Sequence, residues 1–258
     1  MLDGKNILIT GVLTSDSLAY GIAERCISEG GSVYLTGAGR AMRLTERTAR
    51  KLGEDAKGND VGVGEFDVTV PEHADALRSE LENRWGRVDA ALHAIGFAPE
   101  ICLGGTFMDA TWEDVSVAME ISTYSLKMLA DAVAPLMTNG GSIVGLDFDA
   151  SRAWPAYDWM GVAKAALEGT CRYLARYLGP QQIRVNLVSA GPVRTMAAKS
   201  IPGFDAFEDA WSGRAPLGWD VTDPSAVAST TVALFSDLMP ATTGSIIHVD
   251  GGFHAIGA

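Results

Sequence analysis

Gly141-Ser142-Ile143-Val144-Gly145-Leu146, then Tyr157-Asp158-Trp159-Met160-Gly161-Val162-Ala163-Lys164, then Ile183-Arg184-Val185-Asn186-Leu187-Val188-Ser189, is the stretch whose reading decides the fold. A short apolar run, a helical pattern over 157–178 and a second apolar run make a strand, a crossover helix and a parallel strand. The same alternation runs through the chain. Residues 5–10, 32–36, 61–68, 88–95 and 245–249 supply five further strands, while 17–29, 41–52, 71–85, 124–137 and 225–238 have helical length and spacing. Right-handed crossovers between such strands predict an α/β fold, a doubly wound Rossmann-type parallel sheet of about seven strands with helices on both faces. No repeat or linker divides residues 1–258, so a single domain is expected, interrupted by one Gly-, Pro- and aromatic-rich loop near 195–219. Its aromatics Phe204, Phe207, Trp211 and Trp219 suit an apolar ligand or a small satellite core.

The 258 residues are 47% hydrophobic and carry 32 acidic against 20 basic side chains, a formal charge of −12. That balance disfavours nonspecific attraction to nucleic acid or to an anionic membrane. No targeting segment opens the chain and no long apolar run spans it, so a cytoplasmic protein is expected. Cys26, Cys102 and Cys171 lie far apart, as in a reducing compartment, and His73, His93, His248 and His254 lack a metal-ligand spacing, so no metal is expected.

In a doubly wound sheet, ligands bind at the carboxyl edge of the strands. There the sequence offers Gly11, after the first strand, in a turn leading to a helix that begins near Ser17; Asp67; Gly96; Phe148; and Gly191. Gly11 permits the tight turn, although Thr10–Gly21 lacks the Gly-x-Gly-x-x-Gly pattern. After the second strand, Thr36-Gly37-Ala38-Gly39-Arg40 holds no acid to favour NAD, and Arg40 with Arg43 keeps NADPH open. On a helix, Tyr157 and Lys164 share one face, roughly 10 Å apart along the axis. A phenol there can donate to an oxyanion and an ammonium can hold a ribose.

These residues resemble the short-chain dehydrogenase/reductase superfamily and, within it, the divergent enoyl-acyl-carrier-protein reductases of the mycobacterial NADH-dependent type. The likeness runs from Leu2-Asp3-Gly4-Lys5 to Asp250-Gly251-Gly252, through Ser17-Leu18-Ala19, His93-Ala94-Ile95-Gly96-Phe97, Leu146-Asp147-Phe148-Asp149 and Gly191-Pro192-Val193-Arg194-Thr195. Ketone reductases of the superfamily carry Tyr-x-x-x-Lys, but Met160 stands four before Lys164; the enoyl reductases use the wider spacing found here.

The resemblance implies that Tyr157 assists a thioester carbonyl, that Lys164 binds the nicotinamide ribose, and that Phe148 sits beside nicotinamide and acyl chain. It implies a cofactor site of Gly11, Ser17, Leu18, Ala38, Asp67, Val68, Ala94, Ile95, Gly96, Gly191, Val193 and Thr195. Phe97, Met160 and Met196 join the substrate side. It also implies NADH as cofactor, an acyl carrier protein or CoA thioester as substrate, and a homotetramer in which the C-terminal strand forms an interface. Lys199, Arg194 and Arg214 are candidate cations for the carrier. Two departures stand out: Ala38 replaces the aromatic that packs on adenine, and the segment 195–219 is about ten residues shorter than in the mycobacterial type, which predicts a shorter acyl group. Two alternatives remain: a reductase of specialised enoyl or carbonyl substrates, and a catalytically idle nucleotide-binding regulator.

Overall fold

Seven parallel strands stand in the order β3-β2-β1-β4-β5-β6-β7 in the computed structural model, which describes residues 1–199 and 201–257. They are β1 (Asn6–Ile9), β2 (Ser32–Gly37), β3 (Gly62–Glu65), β4 (Ala90–His93), β5 (Gly141–Asp147), β6 (Ile183–Ala190) and β7 (Ile246–Val249). The helices are α1 (Leu18–Ser28), α2 (Met42–Leu52), α3 (Pro71–Trp85), α4 (Trp112–Met119), α5 (Ser125–Val133), α6 (Asp158–Leu178), α7 (Met196–Lys199), α8 (Phe204–Arg214) and α9 (Ser225–Phe235). The expected seven-stranded, doubly wound sheet is therefore present.

Alternation along each strand sorts its side chains between two cores. Leu8, Ile143, Val185 and Leu187 face a cluster built with α3, α5 and α6. Ile7, Ile9, Val144 and Val188 face a second cluster with α1 and α9. Strands covered on both faces read as continuous apolar runs, which is why they were legible.

The chain winds outward from β1 through β2 to β3, then returns to place β4 on the other side of β1. At this reversal the ends of β1 and β4 touch. A Cβ on Gly11 would lie 2.0 Å from the carbonyl oxygen of Ala94, and Gly11 has φ +78°, so only glycine fits. A crevice at such a reversal is where doubly wound sheets bind ligands.

Three expectations need correction. The segment 195–219 is largely helical, because Phe204, Phe207 and Trp211 recur at helical spacing and bury one face of α8. Helix α4 was not foreseen, although Thr111 and Asp114 form a capping box at its start. The helix expected over 124–137 divides: a π-helical turn spans Glu120–Tyr124, α5 follows, and Pro135 brings a 3-10 turn at Ala134–Leu136.

Candidate active site

Tyr157 precedes α6 directly, between two residues in the left-handed region: Ala156 at φ 61° and Asp158 at φ 41°. Non-glycine residues there cost on the order of 1–3 kcal/mol each and persist only where the surroundings hold them. Here the Gly104 amide donates to the Ala156 carbonyl at 2.9 Å and the Gly105 amide to Asp158 Oδ2 at 2.6 Å. The turn so held leaves the Tyr157 ring 7% exposed, edge-on to Phe148 with centroids 5.1 Å apart. Among the described residues nothing hydrogen-bonds its phenol oxygen. Burial, aided by the charge of Asp147, raises the phenol's pKa, so it holds its proton as a donor.

Lys164 points inward from α6, and its Nζ donates to the Leu146 carbonyl at 2.8 Å. Burial lowers its pKa and the Asp147 carboxylate opposes that fall. That bond holds the ammonium at the carboxyl end of β5.

The π-helical turn supplies contacts that pattern reading could not find. Ser122 Oγ accepts the Phe97 amide and donates to the Phe97 carbonyl, both at 2.8 Å. Thr123 Oγ1 donates to the carbonyl of Ala163, next to Lys164, at 2.7 Å. Ser125 Oγ gives its proton to the Ile121 carbonyl at 2.6 Å, so the 2.7 Å contact with His93 must use a proton on His93 Nε2. Such turns interrupt helices mostly at functional sites. This turn and the first residue of α5 tie the β4 end, the Phe97 loop and α6 together.

The remaining predicted residues divide by what their side chains already do. Ser17 caps α1, accepting from the Tyr20 amide and donating to the Thr14 carbonyl. Asp67 holds Thr69 through its amide and hydroxyl, which lowers the carboxyl's pKa and makes it a turn former. Val68 is buried in the core, so only its backbone is free for a ligand. Gly191 makes room for tryptophans: a Cβ there would lie 2.7 Å from the Trp219 ring and 2.9 Å from Trp211 Nε1. Val193 is buried, and Thr195 Oγ1 accepts the Ala198 amide at the start of α7. Leu18, Ala38, Ala94 and Ile95 are partly exposed and Gly96 is exposed along the crevice. One acid was missed: Glu65, ending β3, reaches the turn after β2 and accepts the Gly39 amide at 3.2 Å. It comes from the neighbouring strand, so no local motif announces it.

On the substrate side, Phe148 joins two clusters. Its ring packs against Trp154, Tyr157, Phe207 and Trp211, while Trp211 stacks on Phe253 at 3.8 Å. The satellite core is thus real, and Phe148 connects it to Tyr157. Met160 lies partly buried beside Tyr157; Met196 and Phe97 are about half exposed. Arg194 is paired with Glu208, and Arg214 covers the Phe253 ring and donates to the Gly257 carbonyl. The Lys199 side chain lies outside what the structure describes.

The histidines lack a metal-ligand spacing along the chain, yet the fold brings His248, Asp250 and His254 together. The two rings stack 3.9 Å apart and nearly parallel, so they cannot both aim a lone pair at one ion. Asp250 already accepts from the Gly252 and His254 amides and from His254 Nδ1. The group is a capped turn.

A doubly wound parallel sheet with a glycine-only contact at its reversal point, and a buried Tyr/Lys pair beside it, defines a dinucleotide-dependent oxidoreductase of Rossmann type. The profile of the family described as Enoyl-(Acyl carrier protein) reductase matches residues 11–254. Enoyl-[acyl-carrier-protein] reductase [NADH] of Mycolicibacterium smegmatis is 44% identical over 98% of this chain and 97% of its own length. The proteins of that name from Synechocystis and Bacillus subtilis are 41% and 37% identical, over 99% and 98% of this chain and 98% and 97% of their own. The chain belongs to the enoyl-(acyl carrier protein) reductase family.

The residues present fit a nicotinamide dinucleotide. Pyrophosphate asks for donors at a helix N-terminus. The turn before α1 holds Thr14, whose hydroxyl is buried without a partner among the described residues. A ribose asks for a donor near the nicotinamide, and Lys164 has one bond for its three donors.

Proposed function

We propose that the protein reduces trans-2-enoyl thioesters, on acyl carrier protein or CoA, with NADH in fatty-acid synthesis. The observation that carries this reading is the Tyr157 phenol, in a residue 7% exposed and without a hydrogen-bond partner among the described residues, seven positions ahead of a Lys164 anchored at the end of β5. NADH, when bound, supplies the hydride that reduces the β-carbon. Tyr157 donates its hydrogen bond to the oxyanion that develops on the thioester carbonyl. Lys164 holds the nicotinamide ribose with its spare donors. Phe148 and the aromatic wall behind it exclude water and pack the acyl chain. Glu65 beside the ribose turn repels a 2′-phosphate, which favours NADH over NADPH.

Residues 1–258 act as one reductase domain, with α7 and α8 walling the acyl site. No helix among the described residues is long and apolar enough to cross a membrane, and a cytoplasmic location accords with the acyl-carrier substrate. The assembly is a homotetramer built on two surfaces. One is the edge strand β7, half-exposed with Ile246, Ile247 and Val249. The other is the α5–α6 face, where Tyr173 and Tyr177 are exposed around a groove of about 460 Å³. Two unrelated self-complementary faces produce a dihedral tetramer.

The test is oxidation of NADH, followed by absorbance, with short, medium and long trans-2-enoyl thioesters and the matching ketoacyl thioester. Turnover of enoyl substrates alone, best with short or medium chains, is expected. Preference for the ketoacyl substrate indicates a carbonyl reductase, and NADH binding without any turnover indicates a regulator.

A further inference from the structure

Asp147 closes β5 on the face that meets α6. Along that strand Ile143 packs into the α3–α5–α6 core and Gly145 faces Leu187 and His93, so Asp147, in phase with both, points the same way. Opposite it α6 presents Lys164, Glu168 and Cys171 at positions i, i+4 and i+7, one side of the helix. Tyr157 stands just before the first residue of α6. The carboxyl group is 5% exposed, and both oxygens are buried with no hydrogen-bond partner among the described residues.

A buried, unpartnered carboxylate is costly. Burial accordingly pushes the pKa of Asp147 up to about 7, with the Lys164 ammonium pulling it back and Glu168 and Asp149 pushing it further. The charge acts in return on both members of the pair, raising the pKa of Tyr157 and opposing the fall at Lys164. The other groups around it are accounted for. Asp149 is paired with Arg152 at 3.3 Å and Glu168 with Arg172 at 3.7 Å. His93 on β4 is buried and neutral, and the Cys171 thiol is pushed up to about 12.

We propose that Asp147 is a positioning residue: its carboxylate, buried against the α6 row, keeps the Lys164 ammonium charged. The inference deepens the reductase reading, since it gives this carboxyl a task in holding the cofactor-binding cation ready.

The test is NADH affinity by titration calorimetry from about pH 6 to about pH 10, in wild type and Asp147→Asn. Asparagine keeps the shape and removes the charge. The alkaline loss of affinity is expected to move about one pH unit toward neutrality in the variant, as removal of one nearby opposite charge does. A uniform loss at every pH, or an unmoved limb, overturns the proposal. In parallel, carboxyl-carbon NMR of cofactor-free wild type should show one aspartate titrating near neutrality, with its midpoint raised in Lys164→Met. If the aspartate midpoint does not move in Lys164→Met, the two groups are not coupled and the proposal is overturned even where Asp147→Asn does not fold. Binding and NMR need no enoyl turnover. Failure of the reductase assay with a moved limb therefore refutes the reaction and not the role of Asp147.

Discussion

The Glu65 carboxylate accepts the Gly39 amide at 3.2 Å, carrying a negative charge from the end of β3 to the turn after β2. A 2′-phosphate brought to that turn meets a like charge. Glu65→Gln keeps an acceptor and removes the charge, so affinity for NADPH should rise about tenfold while NADH affinity changes little. Paired titrations with the two nucleotides check this. An unchanged ratio would assign the preference to other residues.

Gly11→Ala places a methyl 2.0 Å from the Ala94 carbonyl oxygen on a backbone at φ +78°. Both strands are fixed in the sheet, so overpacking and backbone strain together should cost on the order of 3 kcal/mol. Denaturant unfolding measures that loss, and NADH binding should weaken with it.

His93 and Asp147 give stability opposite pH dependences. Burial holds the His93 pKa down at about 3, so the unfolded chain binds a proton that the native state does not, and His93 withdraws stability as pH falls below about 6.5. Asp147, raised to about 7, binds its proton in the native state first, so it adds stability as pH falls from 7 toward 4. Wild type should therefore change little between pH 6.5 and 4. In His93→Gln, whose amide can still donate to Ser125, only the Asp147 effect remains and stability should rise on acidification, by about 1.4 kcal/mol per pH unit at most. Urea melts across this range decide the matter; a variant that tracks wild type contradicts the buried neutral histidine.

The fold was legible because strands buried on both faces are uninterrupted apolar runs; the Tyr157/Lys164 pair was noticed by its spacing in sequence, although Tyr157 stands outside α6, next to Asp158 at φ 41°. Residues whose role depends on a neighbouring strand were not legible. Glu65 reaches the turn after β2 from β3, and Asp147 faces a row of residues on α6. Helices α7 and α8 were hidden by the glycines and prolines around them, though Phe204, Phe207 and Trp211 carried the period in α8. Among the residues expected at the strand ends, several side chains are already engaged: Ser17 is spent on a cap, Asp67 on a turn and Val68 on the core.

Trp211 is 1% exposed, stacked on Phe253 and against Phe148. Trp211→Ala should cost about 3–5 kcal/mol and loosen the wall behind Phe148. Its effect on KM for the enoyl substrate should exceed that on KM for NADH, as steady-state kinetics with each substrate varied will show.

The most direct test of the account is Tyr157→Phe against wild type, comparing enoyl-dependent turnover with NADH affinity. The change removes the oxyanion donor and leaves the ring against Phe148. The account predicts turnover slower by about a hundredfold with NADH affinity essentially unchanged. Full turnover without the phenol would contradict it.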